Sequence, residues 1–341
     1  MRAAIVGCGH IAAEHLDALA STPGVIATAL CDLDEAAATK LSQKFHIADV
    51  FTDIEKMLTD SKPDVVHVLT PPKTHLALAE PILAAGCHVL LEKPMTVTVA
   101  DSERIIELSE QQPGTVSVCH NFLFVPAFVA AQHLVEDGSL GALESVDVYW
   151  RISAGGPMQR YEQADWINDL PGGIFGEVAP HPAYLLMALL GKLEVTAADL
   201  LGPTSEDPTE PNRRLGVQLA SQSARASITL SNSAMPIEKQ IRIAGSRMSL
   251  IVDLGTNLLI KLRPLGYSIP GRALLNLDKA VQLGFQTVVN AALTLVGRMP
   301  HSHELFLRHY YACLKINAEP KGSATDGLGV VRLLDQVWSR I

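Results

Sequence analysis

Residues 2–12, RAAIVGCGHIA, decide the fold. Four apolar residues, Ala3 to Val6, read as a buried strand. Gly7-Cys8-Gly9-His10-Ile11-Ala12 follows as a G-x-G-x-x-A turn, and IAAEHLDALAS (11–21) continues as a helix. In such a turn Gly7 permits the sharp reversal, Gly9 lets the main chain approach a pyrophosphate, and Ala12 keeps the helix close to the sheet. The helix N-terminus attracts the phosphate charge. The next strand, VIATALCD, ends in Asp32, 23 residues beyond Gly9. An acid there accepts hydrogen bonds from adenosine ribose hydroxyls and repels a 2′-phosphate. Leu33 and Asp34 supply no cation, which favours NAD over NADP. The competing reading is a ligand-free glycine turn with Asp32 capping the next helix.

The same alternation continues outward. DEAAATKLSQKF (34–45), THLALAEPILAAG (74–86) and VADSERIIELSEQ (99–111) read as helices; DVVHVLT (64–70), CHVLLE (87–92) and TVSVCHN (115–121) read as apolar strands. FTDIEKMLTD (51–60) reads as a link, and AFVAAQHLVEDG (127–138) as a further helix. Repeated strand–helix units with strands apolar on both faces predict a doubly wound parallel α/β sheet over residues 1–122. Beyond residue 143 the pattern changes. LESVDVYWRIS, LGVQLAS, ARASITLSNS, KQIRIAG and MSLIVD alternate with a period of two and are separated by Gly, Ser and Asn. They predict an α+β second domain, 123–341, with a mainly antiparallel sheet, a polar loop at 202–214 and two C-terminal helices.

Composition narrows the class. With 27 basic and 36 acidic residues the net charge is −9, which argues against non-specific nucleic-acid binding. The five cysteines (8, 31, 87, 119, 313) form no CxxC pair, so reduced thiols in a cytoplasmic protein and no metal site are expected. The N-terminus runs directly into a strand, so no secretory leader is expected. Residues 280–297 carry no charge, yet Lys279, Gln282, Gln286 and Asn290 recur every three or four residues. They make one polar stripe on an amphipathic helix. A helical segment over 265–300 is expected to bury its apolar face against the protein or another subunit; membrane-surface contact through 272–298 and a membrane span by 280–297 are the alternatives.

Glu92-Lys93-Pro94 stands at the C-terminal end of a parallel strand, where open α/β sheets bind ligands, although such a tripeptide also forms plain surface turns. Thr70-Pro71-Pro72-Lys73-Thr74-His75 follows another strand, and Thr70 or Thr74 can serve there as a helix cap. His301-Ser302-His303-Glu304 offers alternate metal-type ligands or a solvated helix start.

Together, GCGHIAAEHLDAL, DVVHVLTPPKTH, GCHVLLEKPMT and GGIFGEVAPHPAYLLMALLG resemble the glucose–fructose oxidoreductase / inositol dehydrogenase / MocA family. The resemblance covers residues 1–125 and 143–191; beyond 191 only the sheet character and terminal helices agree. It implies a nicotinamide-dependent oxidoreductase acting on a sugar, cyclitol or sugar nucleotide, as a homo-oligomer. It implies that Gly7, Gly9, His10 and Ile11 surround the pyrophosphate, Asp32 the ribose, and Thr70, Pro71, His75 and Glu92 the nicotinamide side. Lys93 would contact the reacting oxygen, aimed by a Lys-Pro bond that is often cis in the family, and Asn121 would face cofactor and substrate. His181 matches the family's histidine, and Glu177 stands where many members have Asp. Pro180 and Pro182 put a shared helix face for Glu177 and His181 in question. By chemistry, an alcohol oxidation needs a base near neutrality, which His181 offers, and a cation for the developing alkoxide, which Lys93 offers. Trp166 and Asp165, with Arg160, Tyr161 and Tyr184, are further substrate candidates. A lyase or hydrolase using transient oxidation, and a non-catalytic dinucleotide-binding regulator, are the alternatives that the family allows.

Overall fold

The computed structural model describes residues 1–152, 165–202, 213–233, 236–264, 268–299 and 301–341. Arg160, Tyr161 and most of the 202–214 loop lie outside them, as does the Asp165 side chain. The chain forms two compact units. One is Met1–Asn121 with His301–Asp335; the other is Phe122–Pro300 with Gln336–Ile341. His301–Asp335 therefore groups with the first unit and only Gln336–Ile341 with the second, whereas the sequence expectation puts all of 123–341 in one domain.

In the first unit the order is β1 (Arg2–Val6), α1 (His10–Ala20), β2 (Ile26–Cys31), α2 (Glu35–Phe45), β3 (Asp49–Phe51), α3 (Ile54–Ser61), β4 (Val65–Val68), α4 (His75–Ala84), β5 (His88–Leu91), α5 (Val99–Glu110) and β6 (Val116–Val118). The strands line up as β3-β2-β1-β4-β5-β6, every pair parallel. The sequence of strands reverses between β1 and β4, the crevice where doubly wound sheets bind ligands. Ala3–Val6 and all of β4 are buried, as strands covered on both faces must be. The expected link at 51–60 holds the end of strand β3 and most of helix α3. Asp53, whose carboxylate accepts from the Lys56 N–H, caps that helix.

In the second unit α6 (Pro126–Glu136) and β7 (Leu143–Arg151) precede three helices: α7 (Asp165–Asn168), α8 (Ile174–Val178) and α9 (Pro180–Leu190). Then come β8 (Glu194–Leu201), β9 (Arg214–Ala220), β10 (Arg225–Ser231), β11 (Glu238–Gly245), β12 (Ser249–Asp253) and β13 (Leu258–Leu262). The seven strands order as β13-β12-β11-β7-β10-β9-β8. Only β7 and β10 run parallel; the other pairs are antiparallel. Both outer strands, β8 and β13, are additional to the five that alternation reveals.

Helix α10 (Ile269–Leu295) lies along β13 with its polar stripe inward. The Gln282 side chain accepts from the Lys261 N–H (2.9 Å) and donates to the Lys261 carbonyl (3.0 Å). Gln286 does the same with Leu259, at 2.8 and 2.7 Å. Asn290 donates to the carbonyls of Thr256 and Asn257. A carboxamide carries both a donor and an acceptor, so it satisfies an open strand edge as another strand would. The apolar side chains Leu274, Leu277, Val281, Phe285, Val288 and Leu295 are consequently exposed. This reverses the expectation of an apolar face buried within the chain: the edge of β13 needs hydrogen bonds more than it needs hydrocarbon. Among the described residues no helix is long and apolar enough to cross a membrane. The last two helices are α11 (Ser302–Lys315) and α12 (Ala324–Trp338).

Candidate functional site

The cradle at the end of β1 is built by steric necessity. Gly7 has φ +92°, and a Cβ there would stand 2.8–2.9 Å from Thr70 and Leu69 at the end of β4. A Cβ on Gly9 would meet nothing within 4 Å. Gly9 and His10 are exposed and Ile11 is half-buried. No side-chain hydrogen bond caps the N-terminus of α1 at Gly9, and the positive end of the helix dipole there favours an anion. Asp32 stands half-buried at the end of β2, its carboxylate fixed from both sides. One oxygen accepts from the Cys8 N–H (2.6 Å), the other from the Asp34 N–H (2.8 Å). Asp34, not Asp32, caps α2, accepting from the N–H groups of Ala36 and Ala37.

The turn after β4 is locked by hydroxyls. Thr74 donates to the Pro71 carbonyl (2.8 Å), and Thr70 donates to the Thr74 hydroxyl (2.7 Å). Neither threonine caps α4. Thr70 and Pro71 are half-buried, but His75 is fully buried, its Nδ1 2.9 Å from the Met95 carbonyl and Nε2 2.9 Å from the Thr70 carbonyl. His75 therefore does not line a surface. It ties the Thr70 turn to the segment after β5.

At the end of β5, Glu92 is buried and its Oε1 lies 3.0 Å from Nε2 of His15 on α1. Its Oε2 accepts from the Lys93 N–H (3.1 Å). The Lys93–Pro94 bond is cis and Lys93 is half-buried. His15 continues through Nδ1 to Nδ1 of His67 (3.0 Å), and His67 Nε2 lies 2.8 Å from the Tyr311 hydroxyl on α11. Burial lowers the pKa of both imidazoles, His67 well below its usual value. The neutral rings fit one direction of donation: Tyr311 to His67, His67 to His15, His15 to Glu92. Burial alone pushes the Glu92 carboxyl up. The hydrogen bond from His15, with the Lys93 charge beside it, outweighs that and holds Glu92 below the usual carboxylate range. Asn121, buried on the 3-10 turn after β6, donates to Ser302 (3.1 Å).

In the second unit, Gly172 and Gly173 both have positive φ, at 77° and 58°. A Cβ on Gly172 would strike the Trp338 ring at 2.6 Å, and one on Gly176 the Pro171 carbonyl at 2.4 Å. These glycines let α8 enter closely packed. Ala179 links α8 to α9 with φ −58° and ψ −27°, helical despite the proline that follows. Pro180 and Pro182 fall in the first turn of α9, where a missing N–H costs nothing. The helical path thus continues from buried Glu177 to His181, which resolves the doubt raised by the prolines.

His181 sits in an aromatic frame. Its ring is parallel to Trp150 at 5.4 Å (3° between planes) and edge-on to Phe122 at 4.9 Å. Its Nδ1 is 2.9 Å from the Tyr184 hydroxyl, which accepts from the Phe122 N–H. The Lys239 ammonium lies over Phe122 (4.8 Å) and Trp150 (5.3 Å). Phe122, Trp150 and Lys239 were not legible as site residues, although the alternation of β7 and β11 does place Trp150 and Lys239 on a register pair. Trp166 is half-buried on α7.

Two family models match the chain. The model described as "Oxidoreductase family, NAD-binding Rossmann fold" covers residues 1–120, and the "GFO/IDH/MocA C-terminal domain" covers 128–251. An uncharacterized oxidoreductase of Synechocystis is 30% identical over 67% of this chain and 62% of its own length. The dTDP-3,4-didehydro-2,6-dideoxy-alpha-D-glucose 3-reductase of Streptomyces violaceoruber is 30% identical over 59% of this chain and 58% of its own. The chain thus aligns with about 60% of the length of these two relatives. In fold, the WlbA dehydrogenase from Bordetella pertussis, solved with NADH and UDP-GlcNAcA, superposes with a TM-score of 0.82 at 21% identity, over 100% of this chain and 95% of the other.

The buried imidazoles make stability depend on pH. Burial holds His15, His67, His75 and His120 below their usual pKa, His120 at about 4 against 6.5 for a free side chain. Between those values the unfolded chain binds more protons than the fold, so stability rises with pH and is lost on acidification. Each fully buried histidine costs up to ~1.4 kcal/mol per pH unit below about 6.5. The melting temperature is expected to drop from pH ~7 to ~5, and His120→Gln to flatten that slope. A wild-type melting temperature constant across the interval would contradict the account.

Proposed function

The chain belongs to the Gfo/Idh/MocA oxidoreductase family, and from that premise we propose that it transfers a hydride between NAD and a secondary alcohol or ketone of a sugar, cyclitol or sugar nucleotide. The observation that carries this reading is the cradle itself: an unobstructed Gly9, an uncapped α1 and a carboxylate at Asp32 held by two main-chain amides. These features fit a dinucleotide: amides for the pyrophosphate, an acceptor for the ribose, and no cation at 33 or 34 for a 2′-phosphate. The sugar class rests on the names of the relatives and neighbours.

When bound, the nicotinamide supplies the hydride acceptor or donor. The chain's own residues do the rest. His10 and Ile11, with Gly7 and Gly9, give main chain to the phosphates, and Thr70, Pro71, Glu92 and Asn121 flank the cofactor's reactive half. Lys93 stabilises negative charge developing on the substrate oxygen. His181 moves the hydroxyl proton, its ring set by Trp150 and Phe122 and its Nδ1 by Tyr184. Glu177 supports His181 along the same helical path, and Trp166 and Lys239 serve the substrate. Acting on a small metabolite from within the cell is consistent with five unpaired, buried cysteines.

The domain division follows: the first unit binds cofactor, the second holds substrate and a second copy of the chain. Leu274, Leu277, Val281, Phe285, Val288, Ala292 and Leu295 recur at intervals of three and four, a seam ~32 Å long on a 27-residue helix. A pair of such seams is long enough to build an interface of standard size.

Three measurements test this. Asp32→Ser should weaken NADH binding in a fluorescence titration and narrow the preference over NADPH; a wild type that prefers NADPH would overturn the role of Asp32. Lys93→Met and His181→Asn should each lower turnover on a panel of sugars and sugar nucleotides by about 10²–10⁴-fold with NADH affinity nearly unchanged. Near-normal turnover in either removes that residue from the chemistry. Light scattering should find a dimer or larger assembly that Phe285→Glu with Val281→Glu breaks to the monomer; a monomeric wild type would sink the seam.

A further inference from the structure

We infer that His15, Glu92, Cys119 and His303 form a binding site for one divalent transition-metal ion of the zinc class. The four come from α1, the ends of β5 and β6, and the start of α11, all within the first unit. One donor atom from each lies within 4.8 Å of all the others. Their spacing in sequence announces nothing, although His303 belongs to the His301–Glu304 run that first suggested a metal. His301 stands exposed ahead of α11 and Glu304 pairs with Arg308, so only His303 joins the cluster.

The donor set has a definite chemical preference. Two imidazoles, a thiolate and a carboxylate suit Zn²⁺ or Co²⁺ and not the hard, all-oxygen cations. Tetrahedral N and O ligands at zinc distances stand about 3.3 Å apart. His15 Nε2 and Glu92 Oε1, at 3.0 Å, are already near that spacing. The widest pair closes to it with a side-chain movement of about 1 Å, using the zinc–sulfur distance of ~2.3 Å.

The groups behind the ligands are also in place. A metal-bound histidine holds its second nitrogen to an acceptor, which fixes the ring and its tautomer. His15 Nδ1 faces His67 Nδ1 at 3.0 Å, and His67 is anchored in turn by Tyr311. His303 Nδ1 lies 3.1 Å from the Glu14 carboxylate, which leaves its Nε2 to bind. Glu92 uses Oε2 for the Lys93 N–H and keeps Oε1. The Glu92 and His303 side chains retain 12% and 14% exposure, a route of entry for the ion.

Proton accounting follows from the same contacts. Without an ion, His15 donates from Nε2 to Glu92. With one, Nε2 binds the metal, the His15 proton sits on Nδ1 facing His67, and the His67 proton moves to Nε2 facing Tyr311. The number of protons on those rings is unchanged. Burial and the adjacent Glu92 keep the Cys119 thiol protonated in the metal-free protein. Binding therefore forms a metal–sulfur bond, breaks the S–H bond and releases one proton per ion to solvent.

The test uses the full chain, stripped with chelator and titrated with Co²⁺. A thiolate-to-cobalt charge-transfer band should saturate at one equivalent with one proton released, and Zn²⁺ should displace the cobalt and raise the melting temperature. Cys119→Ser should abolish the band while Cys313→Ser, away from the cluster, retains it. His303→Ala, at the partly exposed start of α11, should keep the fold by circular dichroism and bind Co²⁺ at least about tenfold more weakly. No band in the wild type would show a hydrogen-bonded cluster with no metal; an undiminished band in Cys119→Ser, or unchanged affinity in His303→Ala, would show that the cobalt binds elsewhere, and each result overturns the site. None of these readouts depends on turnover or on NAD, so their failure leaves the dehydrogenase reading standing, and the reverse.

Discussion

A carboxylate and two imidazoles are buried in the parallel-sheet unit, and the unit depends on their mutual hydrogen bonds. Leaving any one of them unpaired would cost about 1–3 kcal/mol, more for the carboxylate. Glu92, His15, His67 and Tyr311 avoid this by forming one directed chain through four elements: β5, α1, β4 and α11. The chain explains the composition of the unit. Tyr311, far along the sequence, completes the hydrogen bonding of His67 in the central strand β4, so α11 must pack here and not with the antiparallel sheet that precedes it. Arg308 and Lys315 on the same helix also donate to the carbonyls of Ser21 and Pro23 after α1.

What was legible in the sequence had a local cause. The Gly7 turn could be read because a positive φ and a close approach to Thr70 leave glycine as the residue that fits there. Asp32 could be read because a strand's length fixes how far its end lies from the turn. β3 and α3 were not readable: three residues are too few to show a period, and α3 is short. β8 and β13 were missed for another reason. They are outer strands, so β8 is mostly exposed and β13 (LLIKL) has a single polar residue, and neither shows clean alternation. The allocation of α11 to the first unit was invisible because it rests on a pairing between residues 67 and 311.

The candidate site divides in the same way. Lys93 and Glu92 stand at a strand end, a position with a general physical meaning. His181 carries no such signal, and only the resemblance singled it out. Its surroundings depend on tertiary packing: Trp150 from β7 and Phe122 after β6 meet the His181 ring, and Lys239 from β11 lies over those two aromatics. The doubt about Pro180 had a sound local basis, since a residue before proline usually leaves the helical region. It failed because Ala179 is held by hydrogen bonds on both sides, its N–H to the Phe175 carbonyl and its carbonyl to the Ala183 N–H.

The α10 reversal shows how far a period can mislead when the neighbour is unknown. An amphipathic helix is ordinarily read apolar side in. Here Gln282, Gln286 and Asn290 are four residues apart, about 6 Å along a helix. Their partners, Lys261, Leu259 and Asn257, are two apart, about 6.6 Å along a strand. The two repeats nearly coincide, so successive helix turns deliver one side chain to each outward-facing residue of β13. An edge strand that would otherwise invite another strand is closed by a helix, and the hydrocarbon is turned outward as the consequence. The exposed face is then not a defect of packing. It is what remains when the polar stripe is committed to the edge, and it sits on the element whose removal would open the outer edge of β13, the edge away from β12.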